Sequence, residues 1–270
     1  MNIFIEKYET QNGIYILRDD LLPGGTKSIL IDSIIVDAEK KYSNHINEIV
    51  YASPCYGGFQ IALSIFCKNN NKKATIFCAK RKQRHPNTEL CIQNGANVIE
   101  VPYGYLSVVE KHARDYITSN NSSFVPFKIS FGANSLESIA IIASRANRVI
   151  ELFCKMYGKP PDEIWCAVGS GTLINGISRA VSMGTYRQGV KGDNISPIKI
   201  YGVQVGKEFK DSLPPNVTII VYPKPFEYAS KLKVDFPSMK NYDLKAFELC
   251  LEHKKMNTCQ EKKILFWNVL

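Results

Sequence analysis

The chain has 270 residues, of which 45% are hydrophobic, 22% charged and 11% aromatic. That apolar fraction is enough for a packed core and excludes intrinsic disorder, which goes with low hydrophobicity and dense charge. Lysine and arginine total 34 against 25 acidic residues, a net charge of +9 that favours anionic partners such as phosphates, nucleic acid or acidic membranes and says nothing about fold.

Apolar, β-rich runs alternate with helical patterns along most of the chain. Glu48–Ala52 reads as a short buried strand, followed by a glycine turn and an apolar helix from about Phe59 to Cys67. Ala74–Cys78 is the next strand and Ala96–Val101 another, with a helix from about Ser107 to Thr118 beyond it. Ser135-Leu136-Glu137-Ser138 has the form of a capping box and opens a helix rich in Ile and Ala. Ile164–Val168 and Lys199–Val205 are further strands. Strands separated by helices of this length predict βαβ units and a mainly parallel sheet, so the fold class is α/β. Lys68–Lys73 and Gly184–Pro197 read as polar connections. Lys80-Arg81-Lys82-Gln83-Arg84-His85 is the densest basic cluster, either a solvated loop after a strand or a docking patch for phosphates.

Eight cysteines, at 55, 67, 78, 91, 154, 166, 250 and 259, form no CxxC pair and no Cys/His metal spacing. Several lie inside apolar runs, where a free thiol behaves as a small hydrophobe, so neither a metal site nor a disulfide framework is expected. The segment MNIFIEKYET lacks the apolar stretch of a signal peptide, and no run approaches the roughly 18 apolar residues of a membrane span. The expectation is a soluble, cytoplasmic protein in a reducing compartment.

Four segments could carry chemistry. In Arg18-Asp19-Asp20-Leu21-Leu22-Pro23-Gly24-Gly25-Thr26-Lys27 the paired glycines allow a tight turn that holds Lys27 against something bulky. A partly desolvated lysine can form a Schiff base with an aldehyde, although alone a GGTK segment reads as a surface turn. In Val168-Gly169-Ser170-Gly171-Thr172 a glycine-rich turn leads from strand to helix, where exposed N–H groups and the helix N-terminus make a phosphate cradle. It is neither a Walker A loop nor a GxGxxG fingerprint. Ser53, in Ala52-Ser53-Pro54-Cys55-Tyr56-Gly57-Gly58, reads by default as a helix N-cap. Asp243, in Asn241-Tyr242-Asp243-Leu244-Lys245-Ala246, places a favourable charge at the start of a C-terminal helix.

Taken in order, these segments resemble the fold-type II pyridoxal-phosphate enzymes, and most of all the D-cysteine desulfhydrase and aminocyclopropane-carboxylate deaminase group. Arg18, Asp20, Leu21, Gly24, Gly25 and Lys27 match the R-x-D-L…GGNK segment of that group, and Gly169-Ser170-Gly171-Thr172 is similar to its GSGGT phosphate loop with one glycine missing. Phe131-Gly132-Ala133-Asn134-Ser135 resembles its GGSN turn, and Tyr242, Asp243 and Lys245 match its Y-[DE]-x-K helix start. The matches run from residue 18 to 246. The chain departs from the pattern at Thr26, at Ser28-Ile29-Leu30, and at Pro54-Cys55, where relatives have polar residues. Ile264–Asn268 resembles the strand that in relatives leads to a His-Thr-Gly-Gly end, which here is replaced by Val269-Leu270.

The resemblance implies two three-layer α/β domains. The larger, cofactor-binding one comprises residues 1–42 and 146–270, and the smaller, inserted one residues 43–145. It implies pyridoxal 5'-phosphate held on Lys27 as a Schiff base, its phosphate on Gly169, Ser170, Gly171 and Thr172, and its ring nitrogen facing Asp243. Ser53 and the amides after it would take the substrate carboxylate, Tyr242 would assist as acid or base, and a homodimer would form. The expected function is that of a lyase or deaminase acting on a small amino acid through α-carbanion chemistry. A second reading, drawn from bacteriophage enzymes of this look, puts the amino-acid group on a modified DNA base, which the charge and the Lys80–Arg84 cluster fit. A third is a cofactor-binding protein without activity.

Overall fold

A computed structural model of the chain describes residues 2–43, 45–102, 104–119, 126–184, 197–206, 208–256 and 261–270. Cys259 and most of the Gly184–Pro197 connection lie outside them. The elements, in chain order, are β1 (Ile5–Lys7), β2 (Ile14–Arg18), α1 (Thr26–Tyr42), β3 (Glu48–Ala52), α2 (Phe59–Asn69), β4 (Lys73–Ala79), α3 (Pro86–Gln93), β5 (Asn97–Val101) and α4 (Leu106–Thr118). There follow β6 (Phe127–Ile129), α5 (Leu136–Tyr157), β7 (Glu163–Val168), α6 (Thr172–Met183), β8 (Lys199–Gln204), β9 (Val217–Val221), α7 (Asp243–Met256) and β10 (Ile264–Asn268). The class is α/β with mainly parallel sheets. Among the described residues no helix is long and apolar enough to cross a membrane, and no cluster of metal-binding side chains occurs.

The chain falls into two compact units, one made of residues up to Leu21 with Asn134–Leu270, the other of Leu22–Ala133. Both boundaries lie upstream of the 43–145 expectation. Helix α1, with Lys27, groups with the smaller unit because it packs on α2.

The larger unit is built on a six-stranded sheet in the order β1-β2-β10-β7-β8-β9. Only the β1–β2 pair is antiparallel. Side chains alternate across a strand, so each face takes every second residue. Tyr15 and Leu17, Ile164, Cys166 and Val168, and Leu265 and Trp267 pack on one face with residues of α5 and α6. Ile14 and Ile16, Trp165 and Ala167, and Ile264 and Phe266 pack on the other with Ala246, Phe247 and Cys250 of α7. Helices cover both faces, and that is why these strands read as continuous apolar runs instead of alternating ones. Ser135 caps α5 by accepting a hydrogen bond from the Ser138 N–H at 3.1 Å, as the capping box predicts. Below the sheet core, Asp19 is buried and takes hydrogen bonds from Arg145 and from Trp267 Nε1. Those bonds join the end of β2, the middle of α5 and the end of β10.

The smaller unit carries a four-stranded, all-parallel sheet in the order β5-β4-β3-β6. Val50, Ala52, Phe77 and Val101 pack with Val109 and Ala113 of α4 on one face, while α2 lies against β4. Chain reversals at the carboxyl ends of β3 and β4 place the segments 53–58 and 80–85 along one edge of this sheet, the edge at which open α/β sheets bind ligands.

Candidate active site

In the smaller unit, the double-glycine segment ends in a helix. Lys27 lies in the first turn of the 17-residue α1, not in an isolated surface turn. The Gly25 N–H donates to the Leu22 carbonyl at 2.8 Å, closing a tight turn. Gly24 has φ +88°, and a Cβ there would stand 2.9 Å from the Ala62 main chain of α2, so both backbone angle and space require glycine. The Lys27 Nζ atom is buried.

The Ser53 segment is anchored on α2 and α3. Ser53 is not the N-cap of α2, because the loop continues for five residues and Gly58 takes the cap position. The Ser53 hydroxyl instead donates to the Pro54 carbonyl at 2.9 Å. Gln60 Nε2 donates to the carbonyls of Pro54 (3.2 Å) and Cys55 (2.8 Å), Thr88 Oγ1 to that of Cys55 (3.1 Å), and Asn87 Nδ2 to that of Tyr56 (2.9 Å). Three consecutive carbonyls are thus fixed by side chains of α2 and α3. Nothing in the sequence pointed to Gln60, Asn87 or Thr88, since their partners are main-chain atoms up to 33 positions away.

In the larger unit the Gly169–Thr172 turn leads from β7 into α6, as expected. Gly171 has φ +88°, and a Cβ there would run into the Phe209 ring. A Cβ on Gly169 would sit 3.1 Å from the Tyr242 ring. The Ser170 and Thr172 hydroxyls lie 3.1 Å apart, and Asn134 Nδ2 donates to the Ser170 carbonyl at 3.3 Å. Asn134 thereby finds its place in the turn that the sequence comparison picked out, whereas Phe209 left no signal. A turn with two glycines, two hydroxyls and the positive end of a 12-residue helix form a donor set suited to a phosphate group.

Tyr242 and Asp243 are brought to this turn by α7. The Tyr242 hydroxyl donates to the Ala167 carbonyl over a long 3.4 Å. Burial, reinforced by the Asp243 charge, pushes that hydroxyl well above its ordinary pKa. Asp243 is fully buried, and its Oδ2 accepts from the Leu270 N–H at 2.9 Å. Arg18 is held by Asp20 and Glu6, and Asp20 also accepts from Asn268 Nδ2 at 2.8 Å. Lys245 is fully buried and donates to the carbonyls of Pro225 (2.8 Å) and Phe226 (3.2 Å) over the Tyr222 ring. Burial lowers its pKa against the pull of Glu227 and Glu248. Its part is to hold the 225–226 segment. The structure therefore groups Lys27 with Ser53 in one unit and Gly169–Thr172 with Tyr242 and Asp243 in the other.

A family model described as pyridoxal-phosphate dependent enzyme matches residues 3–248. No curated protein matches the chain. Among solved structures it is similar to an ACC deaminase homologue, with TM-score 0.79 and 16% identity, covering 100% of this chain and 89% of that one. A hydrogen sulfide-producing enzyme from Fusobacterium nucleatum gives TM-score 0.72 at 16% identity, covering 99% and 94%. An O-acetyl serine sulfhydrylase isoform 3 from Entamoeba histolytica gives 0.73 at 14%, covering 100% and 85%. At such identities these three establish the fold alone.

Proposed function

The chain belongs to the fold-type II pyridoxal-phosphate-dependent enzyme family, and from that premise we propose that it is a lyase or deaminase acting on a small amino acid, with Lys27 as the residue that carries the cofactor and moves the proton. The supporting observation is the placement of Lys27 in the first turn of a long helix. Ahead of it stands a turn that no side chain can enter, and its Nζ is buried.

When bound, pyridoxal 5'-phosphate supplies a sink for the electron pair left at the substrate α-carbon. Lys27 would hold it through Nζ, and the free Lys27 amine would be the base that takes the proton from the substrate α-carbon. Gly169, Ser170, Gly171 and Thr172 would hold the phosphate through amides and hydroxyls. Asp243, a buried carboxylate at the head of α7, would keep the ring nitrogen protonated. The Ser53 hydroxyl and the amides after it take the substrate carboxylate, in a loop whose carbonyls are already occupied by Gln60, Thr88 and Asn87. Tyr242, whose hydroxyl burial keeps protonated, would serve the substrate as a hydrogen-bond donor and not as a base.

Borohydride reduction of the cofactor-loaded protein, followed by peptide mapping, tests this reading. A single pyridoxyl adduct on Lys27, absent from Lys27→Ala, is expected. An adduct elsewhere, or scattered over surface lysines, would overturn it.

A further inference from the structure

The most basic segment of the chain borders the loop assigned to the substrate carboxylate. At the base of both loops, strands β3 and β4 run parallel, and the Ser53 N–H donates to the Phe77 carbonyl at 2.8 Å. Lys80 follows Phe77 by three residues, a span of at most about 10 Å. At the far end, the first turn of α3 is stitched to the Ser53 loop by Asn87 and Thr88, and the His85 and Tyr56 rings lie 6.5 Å apart. The segment Lys80–His85 therefore meets residues 53–58 at its far end, while at its near end the Lys80 N–H donates to the Val101 carbonyl of β5 at 2.8 Å.

Its cations are not evenly neutralised. Arg84 pairs with Glu89 at 3.2 Å and Glu100 at 2.8 Å. Earlier in the unit, Lys72 pairs with Glu39 and Lys73 with Glu48. Lys80, Arg81 and Lys82 are exposed; among the described residues none is in a salt bridge, and Lys80 acts on Glu100 at longer range. Three adjacent positive charges repel one another unless an anion lies among them. One arginine beside two lysines suits a phosphate, which takes two parallel N–H bonds from a guanidinium and point charges from ammonium groups.

We propose that Lys80, Arg81 and Lys82 form a subsite for a phosphate group carried by the substrate, a small phosphorylated amino acid whose carboxylate lies at the Ser53 loop. This rests on the carboxylate assignment made above. The carboxylate loop offers neutral amides and a hydroxyl, whereas this strip offers full charges, so the two ends of such a molecule would be read by different chemistry.

The test uses the cofactor-loaded protein, with the phosphate cradle already filled, and calorimetric titration with L-serine, O-phospho-L-serine, inorganic phosphate and a twelve-nucleotide single strand. Three proteins are compared. They are the wild type, the variant K80Q/R81Q/K82Q, and K40Q/K41Q/K68Q, which removes the same charge from exposed positions elsewhere in the unit. O-phospho-L-serine should bind about tenfold more tightly than L-serine, and that advantage, with inorganic phosphate binding, should vanish only in K80Q/R81Q/K82Q. Equal loss in both variants would reduce the strip to general electrostatics and overturn the proposal. So would a nucleotide strand that binds more tightly than O-phospho-L-serine and depends on the strip. Ser53→Ala keeps the two readings apart. It should weaken L-serine and spare inorganic phosphate, so its failure would count against the carboxylate assignment alone.

Discussion

Two glycine turns deliver the proposed chemistry, and they are kept free of side chains in different ways. In the smaller unit Gly24 faces main chain, with the Ala62 Cα 2.9 Å from where a Cβ would stand. In the larger unit Gly171 and Gly169 face aromatic rings, those of Phe209 and Tyr242. Main chain inside a packed helix cannot withdraw, whereas a ring can rotate or shift at the cost of local repacking. The lysine turn is thus fixed by the scaffold, and the phosphate turn by side chains that also line it.

The largest effect is expected at Gly24. Gly24→Ala combines a left-handed backbone with a main-chain collision and should cost about 2–4 kcal/mol. Trp165 and Trp267, the chain's two tryptophans, both belong to the larger unit. Urea unfolding of this variant should accordingly show far-ultraviolet dichroism falling before tryptophan emission changes, and coincident curves would show that the turn is not confined to its own unit. Next comes Gly171→Ala, at about 1–3 kcal/mol from backbone angle and ring clash. Adding Phe209→Ala should recover the ring part only, leaving the angle part. Full recovery would mean that the backbone angle carries no cost.

A smaller change is expected at Tyr242. Its hydroxyl bond to the Ala167 carbonyl is long, so Tyr242→Phe should cost no more than about 1 kcal/mol of stability while lowering turnover far more. A turnover equal to wild type would remove Tyr242 from the reaction. The smallest effect concerns acid. Glu39, Glu48 and Glu100, all in the smaller unit, are held below the usual carboxylate range. For Glu48, burial works against ionisation, but bonds from Thr75, Lys73 and Tyr116 outweigh it. A lowered folded pKa gives stability that is present above the ordinary carboxylate value and lost as pH falls below about 4.4. Glu48→Gln should therefore lie below wild type in urea midpoint at pH 7, and the gap should narrow as pH falls below the ordinary carboxylate range. A gap that stays constant on acidification would assign the loss to packing.

Much of this architecture was legible in the amino acids. Glu48–Ala52 and Ile264–Asn268 have the ends that the sequence predicts, because short apolar runs bounded by polar residues leave no other register. Strands covered on one side only were harder to read. β9 has no buried residue, and β6 has three residues, too few for a period. Helix α1 was masked by its β-branched content, Ile-Leu-Ile and Ile-Ile-Val, which a packed face tolerates and local propensity does not favour. The site residues stood out where glycine or charge interrupted a pattern, as at Lys27 and Gly169–Thr172. Those that act through main-chain atoms, such as Gln60, Thr88 and Leu270, carried no mark. The buried Arg145–Asp19 pair joins positions 126 apart, a distance over which local pattern is silent.

The position of β10 has a consequence for how the protein is made. This strand lies between β2 and β7, so the middle of the larger sheet stays open until residues 264–268 have left the ribosome. At about 5–20 residues per second, β7 waits some 5–20 s for its neighbour, its apolar edge exposed meanwhile. The smaller unit is a single continuous stretch, Leu22–Ala133, and can close during that interval. A cell that produces much of this chain at once therefore holds a population of half-built sheets, each a template for pairing with another, and lower expression or a chaperone acting on β2 and β7 should raise the soluble yield.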